Sequence, residues 1–292
     1  MIIKETFKKY LMILPAGLVY LSMVLFPIGF TFYASVCSWK GAGFEMKYIG
    51  LYNYIHIFKE PRFLTALENN FIWMFAYLII PVLFGFIIAL ILTNGLRGEN
   101  LFKAGFYIPG VISFIVIGLM FTFVFDSTNG MINDFLKVIG LGKFALPWLG
   151  TRSLGLFSVI MAGSWQYVGF CMVVFLAGLR NIPLDVLEAA DIDGANYFQK
   201  VIHIMIPLLR PVITVVVGIT IINSVRIFDV VYTMTKGGPA NSTEVLGLLM
   251  YSKAFQDQQW GIGSAYGVIM FIMTSVFGLT YIKQMIRAEV AQ

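Results

Sequence analysis

Five windows of this chain, 10–39, 69–96, 104–125, 153–179 and 258–282, contain no charged residue. Each is long enough to cross roughly 30 Å of hydrocarbon as a helix, which takes about 20 apolar residues. A sixth window, 211–233, is apolar except for Arg226 and Asp229 towards its far end. Only 12% of the 292 residues are charged and 59% are hydrophobic, whereas a soluble domain carries about 25% charge and about half apolar types. Twenty basic and 15 acidic side chains cannot solvate a globule that also carries 27 Phe, 14 Tyr and 15 Met,. An ordinary soluble enzyme is excluded, and lipid must be the solvent for much of the chain.

Backbone groups in lipid must be satisfied within the segment, so six helices are expected rather than strands; a barrel would show alternating segments of about 10 residues. The expected fold class is therefore all-α and polytopic, with both termini on one side. Lys4, Lys8 and Lys9 precede the first window like the start of a signal peptide. Its apolar core is too long for one, and Val36 before Cys37 does not suit a lipoprotein cleavage site, so an uncleaved first span is expected. The short 97–103 loop, with Arg97 and Lys103, favours cytoplasmic termini,. A net charge of +5 could suggest nucleic acid, but no dense Lys/Arg run makes a phosphate-binding stripe,. Cys37 and Cys171 fall in different apolar segments, and no bridge between them is expected,. Pro81, Pro109 with Gly110, and Gly169 lie inside spans, where they are either ordinary membrane-helix composition or points of loosened backbone,.

The most informative stretch is 179–211. Asn181 and Pro183 read as a helix start, a capping side chain followed by Pro in the first turn,. Asp185 and Glu188 then sit near the positive end of that helix, and Ala189 and Ala190 leave a smooth face that a partner can approach. Gly194 ends the turn. A second helix should follow with Ala195, Phe198, Val201 and Ile202 on one apolar face, before Pro207 and Pro211,. A polar loop carrying its own amphipathic helix either lies in the membrane interface or docks a protein. Asp185, Glu188, Asp191 and Asp193 argue against anionic headgroups and for a protein,.

Glu188, Ala189 and Ala190, then Gly194 after three further residues, then Ile204, Met205, Ile206 and Pro207 after nine more, resemble the EAA loop of bacterial ABC importer permeases, with Ile206 where Leu is usual. A second block, 228–239 with Thr243 and Glu244, is similar to the first permease subunit of carbohydrate importers of the maltose, glycerol-phosphate and multiple-sugar type. Gly50, Leu51, Tyr52, Asn53 and Tyr54 resemble the outer loop after span one in the same group. The resemblance implies a MetI-like, type I permease fold. It would be a single transmembrane domain, 1–292, with spans at 10–36, 70–93, 104–125, 155–178, 211–233 and 261–282, and a cytoplasmic coupling loop at 180–210. It implies a bacterial cytoplasmic-membrane subunit that pairs with a second permease. Two ATP-binding cassette ATPase subunits would bind ATP and Mg, and an extracellular or periplasmic sugar-binding protein would deliver the cargo. No GxxxxGK[ST] phosphate loop occurs in this chain, so no cofactor is expected here and no enzymatic activity of its own,. Glu188, Ala189, Ala190, Asp191, Gly194, Ala195 and Pro207 would couple to the ATPase.

A sugar path needs hydrogen-bonding groups beside flat aromatic faces. Thr220, Asn223, Ser224 and Ile227 are spaced i, i+3, i+4, i+7 on one helical face, read either as a sugar contact or as interhelical hydrogen bonding,. Similarity to maltose-type relatives adds Gln166, Tyr167 and Phe170 in span four, and, less directly, Gly110, Ser113 and Phe114 in span three. Arg226 and Asp229, three apart on the same face, read as a local ion pair, as snorkelling, or as an outer gate or binding-protein contact. An ion-coupled secondary transporter would want a carboxylate deep in the bundle, and none is present there. A channel leaves the coupling loop unexplained; a non-sugar solute such as glycerol phosphate stays open. His56 and His203, both placed in loops on opposite sides, could not share a metal or act as an acid–base pair,.

Overall fold

The computed structural model describes residues 12–43, 45–93, 95 and 97–290. Lys4, Lys8, Lys9 and Tyr10, on which the first-span and orientation readings partly rest, lie outside the described residues, as do Asn94 and Leu96. Among the described residues, four helices are long and apolar enough to cross a membrane by themselves, and two further bent pairs bring the possible spans to six. The described chain divides into two compact units.

The first unit takes the part up to Phe63 together with Leu249–Phe271. Helix α1, Met12–Ser35, ends at a two-residue hairpin in which β1, Cys37–Ser38, pairs antiparallel with β2, Lys47–Tyr48. Helix α2, Tyr52–Lys59, follows. The buried Asn53 amide donates to the carbonyls of Ser35 at 2.8 Å and Cys37 at 2.9 Å, which satisfies acceptors that the end of α1 leaves free,. Near the other end of this unit, Lys253 Nζ lies 3.0 Å from Glu60 Oε1, and the Tyr266 hydroxyl donates to Glu60 Oε2 at 3.3 Å. His56 sits inside α2, not in a loop, because the apolar Ile55 and Ile57 around it carry the helix through to Lys59.

The second unit takes Leu64–Leu248 and the part from Ile272. Helix α3, Pro61–Thr93, runs through Pro81 without a break. Helix α4, Glu99–Val111, and α5, Phe114–Val124, are followed by the short α6, Met131–Val138. At the centre lies α7, Arg152–Arg180, whose most apolar stretch is 67% buried against 28% for α3. Its burial comes from close backbone approach: a Cβ on Gly169 would sit 2.3 Å from the Phe106 carbonyl oxygen, so only glycine lets α4 and α7 touch there,. Glu99 pairs with both Lys103 and Arg180, tying the start of α4 to the end of α7. Then come α8, Leu184–Ile192; α9, Tyr197–Leu208; α10, Arg210–Val225; and α11, Asp229–Met234. The last two helices, α12, Leu246–Tyr251, and α13, Trp260–Val290, each give residues to both units.

Several sequence expectations are corrected. The window 104–125 is not one helix: α4 and α5 meet at a 100° bend. Pro109 brings no N–H to the ladder, Ile112 turns extended, and the Ser113 hydroxyl caps α5 by accepting from Val116 N–H at 3.4 Å,. The window 211–233 is also broken. Helix α10 ends with Arg226 as its cap, the chain is irregular through Phe228, and α11 starts at Asp229, so Arg226 and Asp229 do not share a helix face. No ion pair joins them among the described residues.

Asn181 caps the end of α7 rather than the start of the next helix, which begins after Pro183 in extended ψ with no capping side chain. Pro183 holds Ile182 out of the helical region and so separates the two helices. The expected apolar face of the second loop helix is not the buried one. Val201 is buried, but Phe198 and Ile202 are exposed, and burial continues instead through Met205 and Leu209. A π-helical turn at Val201–Met205 widens the repeat and rotates the face,. His203 lies within this turn, where its ring nitrogen is 3.1 Å from the Gln199 carbonyl oxygen, so it too is helical rather than in a loop. Both cysteines are free and buried.

Candidate functional site

Helices α7 and α10 bring most of the candidate sugar-path residues together. The Tyr167 hydroxyl lies 3.3 Å from Thr220 Oγ1, and the Asn223 amide donates to it at 3.4 Å. Proton counting fixes the direction of the first contact. The single Thr220 hydroxyl proton goes to the Val216 carbonyl at 2.6 Å, so Tyr167 must donate to Thr220. Asn223 is exposed, and its side-chain oxygen takes no hydrogen bond among the described residues. Thr220 and Ser224 are buried, one turn apart, with the Ser224 hydroxyl returned to the Thr220 carbonyl at 2.7 Å. Ile227 is buried too, but lies beyond the end of α10 and so does not continue that helical face.

The aromatic partner surface is equally local. Phe170 lies one turn after Tyr167 with ring centroids 5.3 Å apart. Gln166 points elsewhere: its amide donates to the Ile112 carbonyl at 2.7 Å. That carbonyl is freed by the bend between α4 and α5, so Gln166 satisfies the broken backbone where no water can. Gly110 approaches the same place, since a Cβ there would lie 3.6 Å from the Gln166 carbonyl oxygen. Ser113 serves as the cap described above, and Phe114 packs half-buried against the core. Gln166, Gly110 and Ser113 thus build the elbow, while Tyr167, Phe170, Thr220 and Asn223 offer hydroxyl, amide and ring groups.

Four residues of α3, Asn69, Asn70, Trp73 and Tyr77, were not among those singled out in the sequence. Asn70 donates to the carbonyls of Ser224 at 3.0 Å and Val225 at 3.2 Å and accepts from the Leu246 N–H at 2.8 Å. Trp73 and Tyr77 form an aromatic ladder with the site: Trp73–Tyr77 centroids are 5.2 Å apart, and Tyr77–Tyr167 rings stack at 5.3 Å and 18°. Asn69, Trp73 and Tyr77 recur every four residues, a polar and aromatic stripe that could have been seen,.

On the loop after α7, Glu188 and Ala189 are exposed while Ala190 is buried. Gly194 adopts φ +78°, the left-handed conformation that ends α8,. Asp191 pairs with Lys200 at 2.7 Å, and Asn196 caps α9 reciprocally with Gln199,. Ala195 and Pro207 are half-buried. Around the acids, large apolar side chains stand out: Ile192 is 87% exposed, Leu184 72% and Phe198 71%. The loop thus places a large apolar patch beside its carboxylates,.

Long apolar helices, of which α7 is the most buried, with polar groups aligned on α7 and α10, define a multi-pass, predominantly helical membrane protein. The chain belongs to the family described as "Binding-protein-dependent transport system inner membrane component", which matches residues 81–287. It is 34% identical over 276 residues to the probable ABC transporter permease protein YurN of Bacillus subtilis (strain 168), covering 94% of each chain. It is 30% identical over 281 residues to the probable starch degradation products transport system permease protein AmyD of Thermoanaerobacterium thermosulfurigenes, covering 96% of this chain and 94% of that one. Its fold matches a chain of a bacterial ABC transporter involved in import of the acidic polysaccharide alginate, with TM-score 0.85 and 21% identity over 98% of this chain and 97% of that chain. The MetI-like permease fold expected from the sequence is therefore the fold observed.

Proposed function

We propose that this permease carries a sugar or oligosaccharide into the cytoplasm, taking it from an extracellular or periplasmic binding protein, with ATP hydrolysed by two separate ATPase subunits. The observation that carries the reading is the Tyr167, Thr220 and Asn223 cluster beside Phe170. Hydroxyl and amide groups beside an aromatic face suit a ligand that is polar at its edges and apolar on its ring faces. Membership of a binding-protein-dependent family and the likeness to AmyD, whose name refers to starch degradation products, support the same cargo class.

In this reading a second permease subunit completes the pathway, and the chain lies in the bacterial cytoplasmic membrane with both termini inside. Loop 180–210 then faces the ATPase. Glu188, Ala189, Ala190, Asp191, Gly194, Ala195 and Pro207 shape the contact, and exposed Leu184, Ile192 and Phe198 fill a groove on the motor subunit. Closure of the ATPase dimer would pull on α8 and α9, and through Leu209 on α10, changing which side of the membrane the cluster faces. ATP and Mg act only in those partners.

The test is transport by the reconstituted complex in proteoliposomes, with labelled maltose, maltotriose, xylobiose and raffinose offered on the binding protein. ATP-dependent accumulation of any of them is expected. Accumulation of an amino acid or glycerol phosphate, and of no sugar, would overturn the carbohydrate assignment.

A further inference from the structure

Helix α2 joins the ends of two membrane helices in the chain and packs by one face only. That face is pinned: Asn53 donates to the Ser35 and Cys37 carbonyls, the Tyr54 hydroxyl donates to Ser35 Oγ at 2.7 Å, and Ile57 is buried. The Phe58 and Phe63 rings meet edge to face at 5.2 Å where the chain enters α3. Since α1 stops at Ser35 and α3 starts at Pro61, these contacts hold α2 at the level where apolar helices leave the bilayer.

The outward half of α2 is split along its axis. Leu51, Ile55 and Phe58, spaced i, i+4, i+7, make an apolar strip, each more than half exposed,. Beside it Tyr52, His56 and Lys59, at the same spacing and also exposed, make a polar strip. That strip borders a cavity of about 460 Å³ lined by Tyr52, Ile55, His56, Lys59, Glu60 and Lys253. The carboxylate on its wall is already used: Glu60 Oε1 faces Lys253, and Oε2 accepts from Tyr266. Lys59 enters no ion pair among the described residues, and His56 offers a ring N–H in either protonation state,. The cavity thus offers a cation and donors to an anion, directly beside a surface that suits an acyl chain. A helix with an apolar face and a basic edge at the end of a span belongs in the headgroup region. A soluble protein that came and went would leave Leu51, Ile55 and Phe58 in water between encounters, whereas lipid covers them throughout.

We propose that α2 binds an anionic phospholipid, its phosphate held by Lys59 and His56 in this cavity and an acyl chain laid along Leu51, Ile55 and Phe58. The site lies wholly in the first unit, and the inference does not depend on which solute the permease carries.

Fluorescence quenching tests it. Cys37 and Cys171 are buried, so a bimane label reacts selectively at Ile55→Cys in the intact permease complex. The labelled complex is reconstituted in vesicles that contain brominated phosphatidylglycerol or brominated phosphatidylcholine. Both lipids should quench, and in mixed vesicles phosphatidylglycerol should be preferred about 5-fold. The exposed pair His56→Gln and Lys59→Gln should together abolish that preference while quenching itself persists. Equal quenching by the two lipids in the unsubstituted complex would overturn the headgroup site, as would a preference that survives both substitutions. No quenching at all, or quenching lost when the binding protein is added, would make α2 a protein-docking face instead. A preference removed by excess soluble glycerol phosphate would overturn the lipid assignment in favour of a free phosphate site.

Discussion

Asn70 donates its side-chain amide to the backbone carbonyl of Ser224 at 3.0 Å, so a polar residue of α3 closes the last turn of α10 at a candidate site residue. The same side chain binds the Val225 carbonyl and the Leu246 N–H, and it is 2% exposed. One residue thus pins the point where the sixth window breaks. Replacing Asn70 with Leu should leave two carbonyls and one N–H without partners and destabilise the fold by about 3 kcal/mol. The midpoint of thermal unfolding in detergent measures this, and an Asn70→Leu midpoint equal to wild type would remove Asn70 as the pin.

Which apolar windows break is not legible in the sequence. Pro81 and Pro109 look alike, each a proline inside an apolar run. Pro81 continues its helix, whereas the chain turns by 100° soon after Pro109. What differs is tertiary: the Gln166 amide stands ready for the Ile112 carbonyl, and Ser113 caps the new helix. Hydropathy reports that a segment belongs in lipid but carries no information on which distant amide will satisfy a broken backbone. Thr220 and Ser224 were legible as neighbours because a helical repeat is local. Asn70 lies 154 residues from the Ser224 carbonyl it holds, and Tyr77 stacks on a ring from another helix, so no local period connects either to its partner.

Close approach of α4 and α7 makes Gly169 intolerant of size. A Cβ would meet the Phe106 carbonyl oxygen at 2.3 Å and the Tyr107 Cα at 3.1 Å, both backbone, so the helices themselves must separate. Gly169→Val should cost about 3 kcal/mol or more, beyond the usual overpacking range for a movable side chain. Size-exclusion profiles of the detergent-purified protein should show loss of the monodisperse peak. Normal yield and melting would mean that the two helices are not held this tightly.

Asn223 should act on the substrate and not on the fold. Its side chain is exposed, and its one hydrogen bond is long, 3.4 Å to Tyr167. Asn223→Ala is expected to change stability by less than about 0.5 kcal/mol while raising the KM for sugar uptake several-fold. Thr220→Val, by contrast, removes the buried acceptor of the Tyr167 hydroxyl and should lower both stability and affinity. Unaltered uptake kinetics in Asn223→Ala would take this residue out of the site.

Gly194 and Glu188 test the coupling surface by different physics. At φ +78° a β-branched side chain is strained by about 1–2 kcal/mol,, so Gly194→Val should distort the junction between α8 and α9. Glu188 is exposed, and Glu188→Lys should reverse a contact charge without disturbing this chain. Both variants should insert into the membrane and lose most transport; for Glu188→Lys, co-purification of the ATPase should fall as well. Wild-type uptake in Glu188→Lys would exclude this face as the docking surface.

The Lys253–Glu60 pair offers a test in the other unit. The two side chains are 11% and 14% exposed and 3.0 Å apart, with Tyr266 donating to the same carboxylate and Asp257 a further 3.7 Å contact of the lysine. A desolvated ion pair contributes little net stability compared with an apolar pair of the same shape, yet removing one partner strands the other. Lys253→Met alone should therefore cost about 3 kcal/mol, and Glu60→Gln alone a similar amount. The double variant should regain much of the loss, because neither charge is left unpaired and the amide oxygen introduced by Glu60→Gln can still accept from Tyr266. Thermal unfolding of all four proteins gives the coupling directly. Additive losses in the double variant would show that the two residues act independently, with Lys253 held chiefly by Asp257.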